Sequence, residues 1–196
     1  MNILGFVGYT KSGKSTIADY LCENHGYVQY ALASPLKRIC QELFDLNGES
    51  FDNTDIKESP QNYWGIPPRE ILHSVGTEFL QLEMPTLIPE VGAKLLHKYG
   101  SERTIFVHIF NKWYNSIGRP KKLIISDIRW FHEFHALKNI FPDMKIIKII
   151  RDPIRTRDEY DINALMQFIK HDTETWHFGN FADKDSLFAE IEKKLI

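Results

Sequence analysis

The stretch Gly8-Tyr9-Thr10-Lys11-Ser12-Gly13-Lys14-Ser15 constrains this chain more than any other. It follows the apolar run Ile3-Leu4-Gly5-Phe6-Val7 and leads into Thr16-Ile17-Ala18-Asp19-Tyr20-Leu21-Cys22, which reads as a helix. Strand, glycine-bracketed turn and helix in that order make a complete G-x-x-x-x-G-K-[ST] phosphate-binding loop. The glycines let the backbone curl until successive N–H groups point inward at a polyphosphate, and the positive end of the helix faces the same anion. In that geometry Lys14 reaches the β- and γ-phosphates and Ser15 offers its hydroxyl to Mg²⁺.

A chain of 196 residues suits one domain with its own core. Its net charge of −2 supplies no global basic surface, so a small anionic substrate is expected rather than a nucleic acid polymer. The two cysteines, Cys22 and Cys40, fall among apolar residues of predicted helices and read as small buried hydrophobes in a reducing compartment. No cationic-then-apolar leader and no apolar run of membrane length is present, which predicts a soluble, cytoplasmic protein without a membrane partner.

Periodicity organises the rest. Tyr27–Ala31 reads as a second strand, and Ser34-Pro35 offers an N-cap and first-turn proline to a helix carrying Leu36, Ile39, Cys40, Leu43 and Phe44. Lys37 stands off that stripe. Residues 45–64 lose periodicity and read as a long, mobile loop. Pro67-Pro68 restarts a helix whose 3.6-residue pattern buries Ile71, Val75, Phe79 and Leu82, with Arg69 and Glu70 outside. Helices over 90–99 and around Phe106, Ile109, Phe110 and Trp113 complete a central block without a strand. Lys122–Asp127 and Lys145–Ile150 are apolar on both faces, as buried parallel strands are. A helix over 131–141 joins them. A charged segment around Pro153, a helix over 162–170, a short strand over 176–181 and a last amphipathic helix follow. The pattern predicts an α/β fold with a central parallel sheet flanked by helices, its ligands beyond the carboxyl ends of the strands. Asp127, closing one such strand, resembles a Walker B carboxylate holding Mg²⁺, with Arg129 two residues on. Zinc is not expected: His132-Glu133-Phe134-His135 fails the H-E-x-x-H spacing, and His171 and His177 have no ligand partners in register.

Tyr30-Ala31-Leu32-Ala33-Ser34-Pro35-Leu36-Lys37, Tyr63-Trp64-Gly65-Ile66-Pro67-Pro68-Arg69-Glu70, Gly76-Thr77-Glu78 and Ser126-Asp127-Ile128-Arg129 together resemble the deoxynucleoside monophosphate kinases of phages and large viruses. His171-Asp172-Thr173-Glu174, then Asn180 and the final helix, extend the likeness over nearly the whole chain. The pattern departs at Ser34, at Thr173 and at Trp130-Phe131-His132, where the family commonly has aspartate, serine and Phe-Pro-Asn.

The resemblance implies a three-layer P-loop kinase fold, with a helical acceptor-binding insertion at about 35–118 and a lid at about 151–160. It implies Mg²⁺-dependent transfer of the γ-phosphoryl group of ATP to a deoxynucleoside 5′-monophosphate. ATP would lie on Gly8, Tyr9, Thr10, Lys11, Ser12, Gly13, Lys14, Ser15 and Thr16, with Asn180 on the same side, and Ser15 and Asp127 would hold the metal. The acceptor is already an anion, so no base need remove a hydroxyl proton and cations must bring two polyanions together. Lys37, Arg69 and Arg129 are expected on the acceptor phosphate with Glu174 nearby, Tyr63 and Trp64 against base or sugar, and Arg151, Arg155 and Arg157 over the transferring group. The chain either remains a monomer or forms a homodimer. Two rivals share the loop: a kinase acting on a hydroxyl, of the dephospho-coenzyme A, nucleoside or polynucleotide kinase kind, with Glu70 or Glu78 as base, and a nucleotide-hydrolysing switch.

Overall fold

The structure, a computed structural model, describes residues 2–8, 12–60, 62–151, 173–178 and 184–195. They divide into two compact units. One comprises residues 1–32 and 113–196, the other 33–112.

The first unit is built on a five-stranded sheet in the order β2-β3-β1-β4-β5, every adjacent pair parallel. Its strands are β1 (Asn2–Val7), β2 (Val28–Ala31), β3 (Lys122–Ser126), β4 (Lys145–Arg151) and β5 (Thr173–Phe178). Helix α1 (Lys14–His25) joins β1 to β2, and α9 (Phe131–Ile140) joins β3 to β4. A last helix, α10 (Lys184–Leu195), follows β5. Pairing of Gly5 with Ile125 and of Val7 with Lys148 puts the carboxyl end of β1 between those of β3 and β4.

The central strands are buried on both faces, which is why their sequence runs are continuously apolar. On one face Leu4, Phe6, Ile124, Ile147 and Ile149 pack with Ile17, Ala18 and Leu21 of α1 and Ile191 of α10. On the other, Gly5 leaves room for Ile128, Met144 and Ile146: a Cβ there would sit 2.6 Å from Ile146 Cδ1 and 2.9 Å from Ile128 Cδ1. The three-layer α/β expectation holds.

The second unit is helical: α2 (Ser34–Phe44), α3 (Glu49–Asp52), α4 (Thr54–Lys57), α5 (Pro68–His73), a π-helix over Ser74–Glu83, α6 (Met84–Leu87), α7 (Pro89–Tyr99) and most of α8 (Ile105–Ser116). Cys40, Leu46, Phe51 and Ile71 form its core with Leu36, Phe44, Leu72 and Val75. Cys40 is buried as expected, whereas Cys22 is half-buried.

Three expectations are corrected here. Ser34 is not the N-cap of α2: it lies within the helix, the flanking position is Ala33, and no side chain caps the end. Residues 45–64 are not one loop, because Asn47 and Asn53 accept backbone N–H groups ahead of them and start the single turns α3 and α4. The face after Ile71 is also different. Phe79 and Leu82 are 46% and 47% exposed, while Ile71, Gly76 and Gln81 are buried. Burial every fifth residue follows from the i→i+5 winding, seen where the Met84 N–H reaches Phe79 O. The wide turn rotates a 3.6-residue stripe off the core. Gly76 then meets α2 closely, since a Cβ on it would lie 2.5 Å from Leu36 Cδ2.

Candidate active site

The glycine loop leaves β1 and enters α1 through Gly13, whose φ of 97° is left-handed and free of a Cβ penalty only for glycine. Gly8 is fixed by crowding instead. A Cβ there would lie 2.5 Å from the Ile149 carbonyl oxygen and 2.9 Å from Ser12 Oγ. Ser12 Oγ is buried and has no hydrogen-bond partner among the described residues. Lys14 Nζ donates to Gly8 O at 2.6 Å, spanning the loop. Ser15 is exposed and Thr16 half-buried in the first turn of α1, a turn that carries no acidic residue. An orphaned hydroxyl, an ammonium and an uncompensated helix start converge as an anion site does.

The second part of this unit's site follows β3. Asp127, half-buried, has φ 63°, a left-handed conformation that aspartate tolerates better than most residues. Ile128 turns back into the core at 2% exposure, and Arg129 is exposed. Asp127 and Arg129 form no ion pair with each other among the described residues.

Glu133, in the first turn of α9, is only 4% exposed. Its Oε2 accepts the backbone N–H groups of Arg129 at 3.1 Å and Trp130 at 3.2 Å. Burial pushes its carboxyl up to about 7; those two hydrogen bonds and the Arg129 charge oppose the rise, and the Asp127 charge adds to it. The sequence reading passed over this residue as part of a failed zinc pattern. The available signal was a glutamate at the third position of a helix, the capping-box place, behind a Trp that cannot cap.

In the helical unit, Lys37 lies on α2 with Nζ 5.5 Å from the Phe51 ring centre. Arg69, on α5, pairs through Nε with Glu58. Tyr63 and Trp64 sit on a tight turn: Asn62 Oδ1 accepts the Trp64 N–H at 3.0 Å, and Asn62 Nδ2 donates to Ile66 O at 2.6 Å. The Trp64 indole N–H donates to Phe44 O, and its ring stands edge-on to Phe44 and Tyr63. Tyr63 is 91% exposed. Glu78 faces His73 at 3.7 Å on the surface.

Ser12, Lys14, Ser15, Asp127 and Arg129 are thus gathered at the carboxyl ends of β1 and β3, and Lys37, Tyr63, Trp64 and Arg69 belong to the helical unit. Arg151 is the last residue of β4, and Glu174 lies in β5 opposite Ile147. Tyr9, Thr10, Lys11, Arg155, Arg157 and Asn180, with the helix expected over 162–170, lie outside the described residues.

A parallel sheet with a glycine loop after one central strand and a carboxylate after its neighbour defines a P-loop nucleotide-binding protein of the α/β class. The model of the family described as deoxynucleotide monophosphate kinase matches residues 2–70. A protein of Acanthamoeba polyphaga mimivirus assigned as a deoxynucleotide monophosphate kinase is 32% identical over 175 residues, covering 87% of this chain and 84% of that one. The chain belongs to the deoxynucleotide monophosphate kinase family and is a nucleotide kinase. Among solved structures, dephospho-CoA kinase from Campylobacter jejuni is similar at TM-score 0.47 and 14% identity, covering 100% of this chain and 99% of that one. TT1252 from Thermus thermophilus is similar at TM-score 0.43 and 17% identity, covering 99% and 96%. Both likenesses are too distant to bear on activity.

Proposed function

We propose that this enzyme transfers the γ-phosphoryl group of ATP to a deoxynucleoside 5′-monophosphate, with its two groups of cations dividing the phosphates between them. The observation that carries the reading is the loop itself. Its buried Ser12 hydroxyl has no partner among the described residues, and its Lys14 ammonium rests on a loop carbonyl that a phosphate oxygen outcompetes in charge. ATP occupies the loop from Gly8 to Thr16, with Asn180 as a further ATP-binding residue.

Mg²⁺ fits the residues present. Ser15 and Asp127 supply one hydroxyl and one carboxylate, hard oxygen donors of the number Mg²⁺ takes from protein when phosphates supply the rest. Once bound there, the metal would neutralise charge on the β- and γ-phosphates. Lys14 holds those phosphates from the other side. Arg129, exposed at the end of β3, and Arg69 and Lys37, from the helical unit of 33–112, grip the acceptor phosphate, with Glu174 beside it. That unit is the acceptor-binding insertion. Tyr63 and Trp64 provide a wall for base or sugar, the second ring anchored and the first wholly presented. Arg151, Arg155 and Arg157 belong to a lid over about 151–160 that closes on the transferring group and excludes water.

The transfer needs no general base, because the attacking oxygen belongs to a phosphate already ionised at neutral pH. The enzyme works in the cytoplasm, that of the host if its gene is viral. Among the described residues no helix is long and apolar enough to cross a membrane. ATP consumption is to be measured with the four deoxynucleoside monophosphates, their ribose forms and the nucleosides. Turnover with deoxynucleoside monophosphates and none with nucleosides is expected. Turnover with nucleosides instead would favour a hydroxyl kinase, and consumption independent of any acceptor would favour a nucleotide-hydrolysing switch.

A further inference from the structure

The turn that carries Asp127 and Arg129 is held at two points, and the second has no part in the chemistry above. Between the end of β3 and the start of α9 only Asp127, Ile128, Arg129 and Trp130 intervene. Ile128 anchors the turn from below, its Cδ1 in the space that Gly5 leaves open on β1. Asp127 is left-handed, a conformation that costs a non-glycine residue on the order of 1 kcal/mol and persists only where neighbours enforce it. The two N–H groups after Ile128 lie ahead of the first turn of α9, where backbone donors lack intrahelical partners. Both are taken by one oxygen of Glu133.

We infer that Glu133 is a positioning residue for phosphoryl transfer: its buried side chain clamps the Arg129 and Trp130 amides, and so fixes where Asp127 and Arg129 aim. A free turn of four residues would let both head groups wander by an ångström or more, and misplacement of that size costs on the order of 10²-fold in rate. The arrangement sorts the side chains by alternation. Ile128 is buried while Asp127 is half-buried and Arg129 exposed, and the strap prevents the turn from rolling out of that arrangement. The inference rests on the roles proposed for Asp127 and Arg129, while the clamp itself can be tested without them.

The first test reads the clamp alone. Amide exchange followed residue by residue by NMR in the ligand-free protein is expected to show Arg129 and Trp130 protected in the wild type and in Glu133→Gln, whose amide oxygen accepts the same bonds. Protection should be lost in Glu133→Ala. Exchange of both amides at free-peptide rates in the wild type would overturn the inference whatever the enzyme does. The second test is kinetic. Glu133→Ala is expected to lower kcat by roughly 10²-fold and to raise the KM for both the acceptor and Mg²⁺–ATP, since the clamp aims Arg129 and Asp127 alike, while affinity for ATP without Mg²⁺ moves less than about threefold, because Lys14 and Ser12 lie outside the clamp. Glu133→Gln should recover turnover to within about threefold of wild type. Equal loss in both variants would overturn the inference, since the amide keeps the bonds and removes only the charge. So would an equal loss of affinity for ATP without Mg²⁺, the mark of a general loss of structure. If Glu133→Ala does not fold, the exchange pattern and kinetics of Glu133→Gln still decide. A wild type with a protected turn but no kinase activity would retain the clamp and sink the functional assignment instead.

Discussion

Replacing Glu133 with glutamine should make the protein more stable, by an amount that depends on pH. The wild-type carboxyl is displaced from 4.5 to about 7 because burial disfavours its anion more than the two amide bonds and Arg129 favour it. A carboxyl whose folded-state pKa is raised contributes stability that is fully present below its unfolded value and is lost as pH rises through the folded value. At 1.36 kcal/mol per tenfold change in proton affinity, the displacement amounts to about 3 kcal/mol at full ionisation. Glutamine cannot ionise and carries no such loss. Urea unfolding of both proteins between pH 3.5 and 8.5, followed by tryptophan fluorescence, reads the effect. The stability difference between variant and wild type should be flat below about pH 4, grow between about pH 4.5 and 7 and level off above about pH 8. For a domain of this size the plateau corresponds to a Tm higher by about 6–12 °C. A difference that stays constant across the range would refute the reasoning, because it would mean that Glu133 titrates alike in the folded and unfolded chains.

Other substitutions test the site piece by piece. Lys14→Ala should abolish transfer with little change in Tm, since the ammonium spans the loop without packing in the core, and near-normal turnover would sink the assignment of the loop. Arg69→Ala and Arg129→Ala should each lose about 1.5–3 kcal/mol of acceptor affinity, roughly one to two decades in acceptor KM, with ATP binding by calorimetry preserved. Equal loss on both substrates would move these arginines off the acceptor. Gly8→Ala should weaken ATP binding severely, because its methyl group would have to displace the Ile149 carbonyl or Ser12. Unaltered affinity there would show that the loop is not shaped by that approach. Hydrogen exchange over 151–160, with and without a bisubstrate analogue joining adenosine to a deoxynucleoside through phosphates, should show protection on binding, and unchanged exchange with the analogue bound would exclude a lid.

The sheet was legible because a buried parallel strand has nowhere to put a polar residue: Leu123, Ile124 and Ile125 announce their place without tertiary information. The glycine loop was legible for a related reason, since Gly8 and Gly13 stand where crowding and a left-handed φ leave few alternatives. The helical unit was read less well. A 3.6-residue stripe is sought by assuming α-helical winding, and Ser74–Glu83 winds differently, so Phe79 and Leu82 were placed inside when Gly76 and Gln81 are. Nothing in those residue types signals i→i+5 bonding. Glu133 escaped for another reason. Charged residues on helices are read as solvated, and its burial depends on backbone donors supplied by a turn whose shape only the fold determines.

The core beneath the glycine loop has a history in time as well as a place in space. β1 and α1 leave the ribosome before the segments they pack on, for Asn2 pairs with Lys122, Leu4 with Lys145, and the apolar face of α1 is closed by Ile191 of the last helix. Tyr20 and His25 at the end of α1 both find their hydrogen-bond partner in Glu192. The strand partners of β1 and the closing contacts of α1 therefore arrive late, and contacts so distant in sequence close slowly because loop entropy must be lost before they form. During synthesis the loop is a motif without a scaffold. Its first strand, apolar on both faces, stays unpaired until well over half the chain has followed, and over that interval this protein is most exposed to aggregation and most dependent on whatever shields nascent strands.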